Sequence, residues 1–77
     1  MTLEELRKKK YVSQMKLAAD LGINVSTVST WERGRKRPEM YNILKLASYF
    51  GMLPEEIDAI IEETVAARMT NQFDAVE

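Results

Sequence analysis

Four short hydroxyl side chains fall within five residues, Ser26, Thr27, Ser29 and Thr30, and four cations follow closely, Arg33, Arg35, Lys36 and Arg37. Hydroxyls both donate and accept hydrogen bonds, while Arg and Lys neutralise anions. Together they suit recognition of a polar, anionic partner. Catalysis has no comparable support. The chain contains no Cys and no His, which removes disulfides, thiolate or imidazole metal sites, and nucleophilic triads that need either residue. No other acid–base or nucleophile constellation stands in their place, so no enzyme activity, cofactor, metal or small-molecule ligand is expected.

The overall net charge of −1 conceals a division. Residues 1–51 carry ten Lys/Arg against five Asp/Glu, and residues 52–77 one Arg against seven Asp/Glu. A basic working surface followed by an acidic segment of different purpose is the natural reading. No apolar run approaches the ~18 residues of a membrane span. The opening "MTLEEL" lacks the basic-then-apolar order of a signal peptide. A soluble, cytoplasmic protein without a membrane partner is expected.

Helical spacing dominates the segments that must position these side chains, and none shows strict apolar/polar alternation. Thr2 and Glu5 match a capping box opening a first helix that ends near Lys10. Ser13 caps a second, whose Leu17, Ala18 and Leu21 face inward and whose end is marked by Gly22. Asn24 is placed to cap a third, with Gly34 as its stop. In a fourth, Met40, Ile43, Leu44, Ala47 and Phe50 recur at steps of three and four and predict the inner stripe. Pro54, Glu55 and Glu56 suit the first turn of a fifth, with Ile57, Ile60, Ile61 and Val65 as its stripe. The expected architecture is one all-α domain over residues 1–68, with an extended acidic fifth helix. Residues 69–77 are expected to form a frayed or disordered tail.

Steps of about 100° per residue resolve the third helix. With Val28 pointing inward, Trp31 lies about 60° to one side and Glu32 about 40° away at the core boundary, while Ser26, Ser29, Thr30 and Arg33 point outward. Ser and Thr are poor helix formers, each costing a few tenths of a kcal/mol relative to Ala. A surface that must approach a partner closely justifies that cost. A DNA major groove, about 12 Å wide, admits such a helix and offers base edges to its hydroxyls. Two short helices around a Gly22 turn form a helix-turn-helix, and the basic loop then lies where flanking phosphates pass.

The stretch "LRKKKYVSQMKLAADLGINVSTVSTWERGRKRPEMYNILKLASYFGM" resembles the DNA-binding domain of lambda-repressor-like regulators, the XRE/Cro family. The resemblance rests on Leu6, Arg7, Ser13, Gln14, Leu17, Ala18, Leu21, Gly22, Val28, Ser29, Trp31, Glu32, Gly34, Pro38, Ile43, Leu46, Ala47 and Phe50, and covers residues 3 to about 60. It implies a compact five-helix fold. It implies phosphate contacts from Gln14 and near the Asn24 cap, major-groove contacts from Val25, Ser26, Ser29 and Thr30, and backbone contacts along the basic loop. Thr27 completes the hydroxyl set of candidate DNA-binding residues. The resemblance also implies an ion pair between Arg7 and Glu32.

Three positions depart from the family pattern. Tyr11 stands where glycine is frequent, and tyrosine resists positive φ, so either that turn differs or Lys10 takes the strained position. Val25 stands where a long polar residue is frequent, which points to apolar contact with a thymine methyl. Leu53 stands where a hydroxyl usually caps the fifth helix, leaving Pro54 and the glutamates to set its start.

The implied function is a sequence-specific transcriptional regulator, expected to be a prokaryotic or phage repressor. It would insert residues 24–33 into the major groove of double-stranded DNA as a homodimer. Ile60, Thr64, Val65 and Met69 continue the fifth helix's stripe and form the candidate dimer or partner surface. About 17 residues follow the matched region, so no sensor domain is expected, and control would run through abundance, dimerisation or a regulatory protein partner. The rival reading is a protein-interaction module, an antitoxin-like or antirepressor-binding partner that works through the C-terminal helix.

Overall fold

The computed structural model describes the backbone of residues 1–76 and the side chains of residues 1–68. Five helices follow one another, α1 (Leu3–Lys9), α2 (Gln14–Leu21), α3 (Val25–Glu32), α4 (Met40–Phe50) and α5 (Pro54–Val76), with no strand among the described residues. α2 packs chiefly on α3 and α4 on α5, while α1 touches both α3 and α5. Leu3, Leu17, Val28, Leu46 and Ile57 are fully enclosed, one from each helix. Among the described residues no helix is long and apolar enough to cross a membrane.

The helix ends follow from a few local bonds. Thr2 Oγ1 accepts from the Glu5 amide, and Glu5 Oε1 accepts from the Thr2 amide at 2.7 Å, closing the capping box. Ser13 Oγ accepts from the Lys16 amide at 3.0 Å. Leu53 donates its N–H to Glu56 Oε1 at 2.9 Å, so a glutamate three residues on does supply the cap that Leu53 cannot. Asn24 occupies the N-cap position of α3 with extended backbone, but its side chain makes no capping bond. That corrects the capping role expected for its amide, which stays exposed.

Four helices end in the same pair of bonds, a Schellman turn. In α1 the Tyr11 amide reaches Lys8 O and the Val12 amide reaches Arg7 O. α2, α3 and α4 repeat this at Gly22–Ile23, Gly34–Arg35 and Gly51–Met52. The turn requires a left-handed residue, and three of the four are glycine. The fourth is Tyr11, at φ +59. The turn therefore does not differ, and Lys10, at φ −93, is not the strained residue. Tyr11 holds the left-handed position because the two Schellman bonds and Val12, packed against the core, determine it.

Two expected stripes shift. On α4 the buried side chains are Asn42, Ile43, Leu46, Ala47 and Phe50, while Met40 and Leu44 are 66% and 51% exposed. On a wheel centred on Ile43, the buried side chains run from Asn42 at about −100° to Ala47 at about +40°, and Met40 and Leu44, at about +60° and +100°, fall outside that arc. On α5, Ile60 and Thr64 are buried within the chain itself, so they are not available as the expected partner surface. Thr64 Oγ1 accepts from the Leu3 amide at 2.9 Å and donates to Ile60 O at 2.7 Å. Val65 is half-buried, and the side chain of Met69 lies outside the described residues. The expected tail, 69–77, continues the helical backbone of α5 to Val76.

Candidate nucleic-acid interface

α2 and α3, joined by a turn at Gly22–Asn24, pack against each other, and each buries one face and leaves the other toward solvent. Val28 and Trp31, 0% and 3% exposed, anchor α3. Asn24, Val25, Ser26 and Arg33 are exposed, and Thr27, Ser29 and Thr30 are half-buried. Thr30 Oγ1 donates to Ser26 O at 2.8 Å, so its proton is used within the helix and its lone pairs remain. The hydroxyls of Ser26, Thr27 and Ser29 have no hydrogen-bond partner among the described residues. They can donate or accept outward. Val25 adds the one apolar contact of this face.

A buried polar network fixes the angle of α3. The Arg7 guanidinium donates from Nε to Glu32 Oε2 at 2.5 Å and from its second terminal nitrogen to Oε1 at 3.1 Å. Its remaining arm donates to Val12 O at 2.8 Å. Gln14 Nε2 donates to Glu32 Oε1 at 2.9 Å. The Glu32 carboxylate thus joins α1, the first residue of α2 and the last residue of α3. Its bond raises the Arg7 pKa still further, which keeps the guanidinium charged in spite of burial. Wheel geometry puts Glu32 at the core edge, and the resemblance implies Arg7 as its partner. Gln14 as the third member lacks such a signal, because a phosphate contact accounts for a glutamine there equally well. Here its amide is already oriented by Glu32.

The basic loop does not act as one unit. Arg33, Arg35 and Lys36 are exposed and have no acidic partner among the described residues. Arg37 instead pairs with Glu62 on α5. The hydrogen bond to Glu62 raises the Arg37 pKa, Asp58 adding to the attraction, and Arg37 in turn holds Glu62 below the usual carboxylate range. No periodicity links residues 37 and 62, so nothing in the sequence pattern signals this pair. Gly34 lies against α5 as well, where a Cβ would stand 3.0 Å from Thr64 O and 2.9 Å from Arg68 Cβ. Beside α3, a shallow depression of about 310 Å³ is lined by Ser26, Thr27, Thr30, Trp31 and Lys36.

No group of His, Cys, Asp or Glu able to hold a metal occurs among the described residues. The arrangement presents hydroxyls, one amide and one apolar side chain along the outer face and start of α3, with unpaired cations at its end. It can hydrogen-bond base edges and neutralise phosphates. No curated protein and no solved structure is significantly similar to the chain. A family model, "Helix-turn-helix", matches residues 3–57, from the first residue of α1 to the buried Ile57 of α5. With that match over most of its length, and with α2–turn–α3 in place, the chain belongs to the XRE/Cro-like helix-turn-helix family of DNA-binding regulators.

Proposed function

We propose that the chain is a sequence-specific transcriptional repressor that occupies an operator with α3 in the major groove. The observation that carries this reading is the outward face of α3, with free hydroxyls at Ser26, Thr27 and Ser29 and unpaired cations at Arg33, Arg35 and Lys36 beside it. Gln14, at the start of α2, and Asn24, whose amide is not used in capping, are placed to meet the backbone on the other side of the groove. Binding selection on random duplex DNA at ~150 mM salt tests the reading. A defined sequence should be enriched, and Ser29→Arg should change it. Enrichment of none would sink operator recognition by this chain, and an unchanged preference in Ser29→Arg would remove α3 from the groove.

The repressor acts as a homodimer on two half-sites about 34 Å apart. With Ile60 and Thr64 buried inside the protomer, the exposed apolar side chains that cluster on one helix are those of α4, whereas Met15 and Leu53 stand singly on other elements. Met40, Tyr41 and Leu44 are 66%, 58% and 51% exposed and share one side of the helix. A patch of a few hundred Å² is the size that monomers usually reserve for contact, yet it falls short of the ~800 Å² per partner of a standard interface. The free chain is therefore expected to be monomeric at low micromolar concentration and to pair on DNA. Sedimentation with and without an operator duplex checks this. Leu44→Lys should abolish two-site cooperativity while leaving half-site binding intact.

A further inference from the structure

Loop cations beyond a recognition helix would ordinarily all be assigned to phosphates. Here the loop is anchored at both ends on α5, and the anchoring separates their roles. Gly34 is set tightly against Thr64 and Arg68, and Arg37 is engaged by Glu62 with Asp58 nearby. Between these anchors Lys36 is turned toward α3, where it lines the same depression as Ser26, Thr27 and Thr30, with Trp31.

We propose that Lys36 reads a base, and that Arg37 and Glu62 are positioning residues that hold it over the groove face instead of binding phosphate. The inference rests on the DNA-binding reading above. An ammonium has three donors and no acceptor, so it selects a base edge with adjacent acceptors. In the major groove that edge is guanine, which presents O6 and N7 side by side, whereas every other base presents a donor or a methyl group there. Ser26 and Thr27 supply hydroxyls that donate or accept next to the ammonium. Thr30, its proton spent on Ser26 O, offers lone pairs alone. The depression thus combines a fixed donor with adaptable neighbours on the surface that faces the bases.

Base reading and phosphate clamping leave different traces. A phosphate contact contributes about 0.9 to the slope of log K against log salt, equally on every sequence. A base contact contributes discrimination at one position, about tenfold or more for a good pair. Binding selection and salt titration on the wild type, Lys36→Met, Arg37→Gln, Glu62→Gln and the Arg37→Gln/Glu62→Gln double variant separate them. All these side chains are exposed, and circular dichroism verifies that each variant folds. Lys36→Met should lose a guanine preference at one position by about tenfold. Arg37→Gln and Glu62→Gln should each blur that same position, the double variant no more than either single, with the salt slope unmoved. The proposal is overturned if Lys36→Met weakens all duplexes alike and lowers the slope by about 0.9, or if Arg37→Gln lowers the slope while Glu62→Gln strengthens binding. Wild type that enriches no sequence would defeat the operator reading itself, which is a separate and distinguishable result.

Discussion

Replacing Tyr11 with glycine is expected to stabilise the domain. Tyr11 is the one non-glycine residue at positive φ among the described residues, at +59, and the residue is 97% exposed. The left-handed conformation costs a residue with a Cβ roughly 1–2 kcal/mol, and glycine occupies it almost freely. Both Schellman bonds are made by backbone groups, from Tyr11 to Lys8 and from Val12 to Arg7, so they survive the substitution. A ring that exposed has almost no packing to lose. The net gain is therefore about 1 kcal/mol, after allowing for the extra freedom of glycine in the unfolded chain. For a domain of this size that raises the melting temperature by about 4–8 °C. Urea unfolding should show a higher midpoint at unchanged slope. Tyr11→Ala is the control, since it removes the ring and keeps the Cβ, and it is expected to leave stability within about 0.5 kcal/mol of wild type. Should Tyr11→Gly destabilise, or Tyr11→Ala stabilise as much, the strain argument fails and the ring has a role that its exposure conceals.

Glu32→Ala leaves the Arg7 guanidinium buried without its partner, the pair being 9% and 4% exposed. A loss of about 3–5 kcal/mol in urea unfolding is expected. The double variant Arg7→Met/Glu32→Leu should lose less than either single change, because it removes both charges. Gly34→Ala and Gly22→Ala both place a Cβ at positive φ, but only the first meets neighbours, Arg68 and Thr64. Gly22→Ala is expected to cost about 1 kcal/mol, and Gly34→Ala measurably more by thermal unfolding. Acid sensitivity follows from three carboxylates held below their usual range, Glu5 by the Thr2 amide, Asp20 by the Tyr49 hydroxyl and Lys16, and Glu62 by Arg37. Each contributes stability that is complete above the unfolded-chain value, near pH 4, and is lost as pH falls through the lower folded value. With no histidine, the urea midpoint should hold steady between about pH 5 and 7 and fall below about 4. A drop between 5 and 7 would contradict this assignment.

Local signals were legible in the sequence because they act over a few residues. Thr2 with Glu5, Ser13, and the glycines at 22, 34 and 51 mark helix ends through bonds that span three to five positions. The inward direction of α3 was legible too, since Val28 and Trp31 agree on one arc. On α4 the wheel was ambiguous. Apolar side chains occupy more of the circumference than one neighbour covers, and composition cannot say that Ile43 and Leu46 are inside while Met40 and Leu44 are not. On α5 the obstacle was the reverse. Thr64 lies near the centre of the buried arc between Ile60 and Ile61, but a hydroxyl reads as surface until its partners, the Leu3 amide and Ile60 carbonyl, are known. At Tyr11 the turn geometry was implied by position and only the residue argued against it. Backbone bonds and a packed Val12 outweigh a cost of one or two kcal/mol.

The charge division of the chain takes a different meaning from these contacts. A basic segment and an acidic one suggest two surfaces with separate purposes. In the fold, acidic side chains of α5 meet the rest of the domain. Glu63 pairs with the amino group of Met1, and Glu62 with Arg37. The next residue, Thr64, accepts from the first amide of α1, and its own carbonyl lies against Gly34. One turn of α5 therefore locates both the start of α1 and the loop that follows α3. α1 in turn carries Arg7, which sets α3 through Glu32. Surface ion pairs contribute little stability each, so the worth of Glu62 lies in geometry. Opposite charge placed behind the loop engages one of its cations, Arg37, and leaves Arg33, Arg35 and Lys36 without an acidic partner among the described residues.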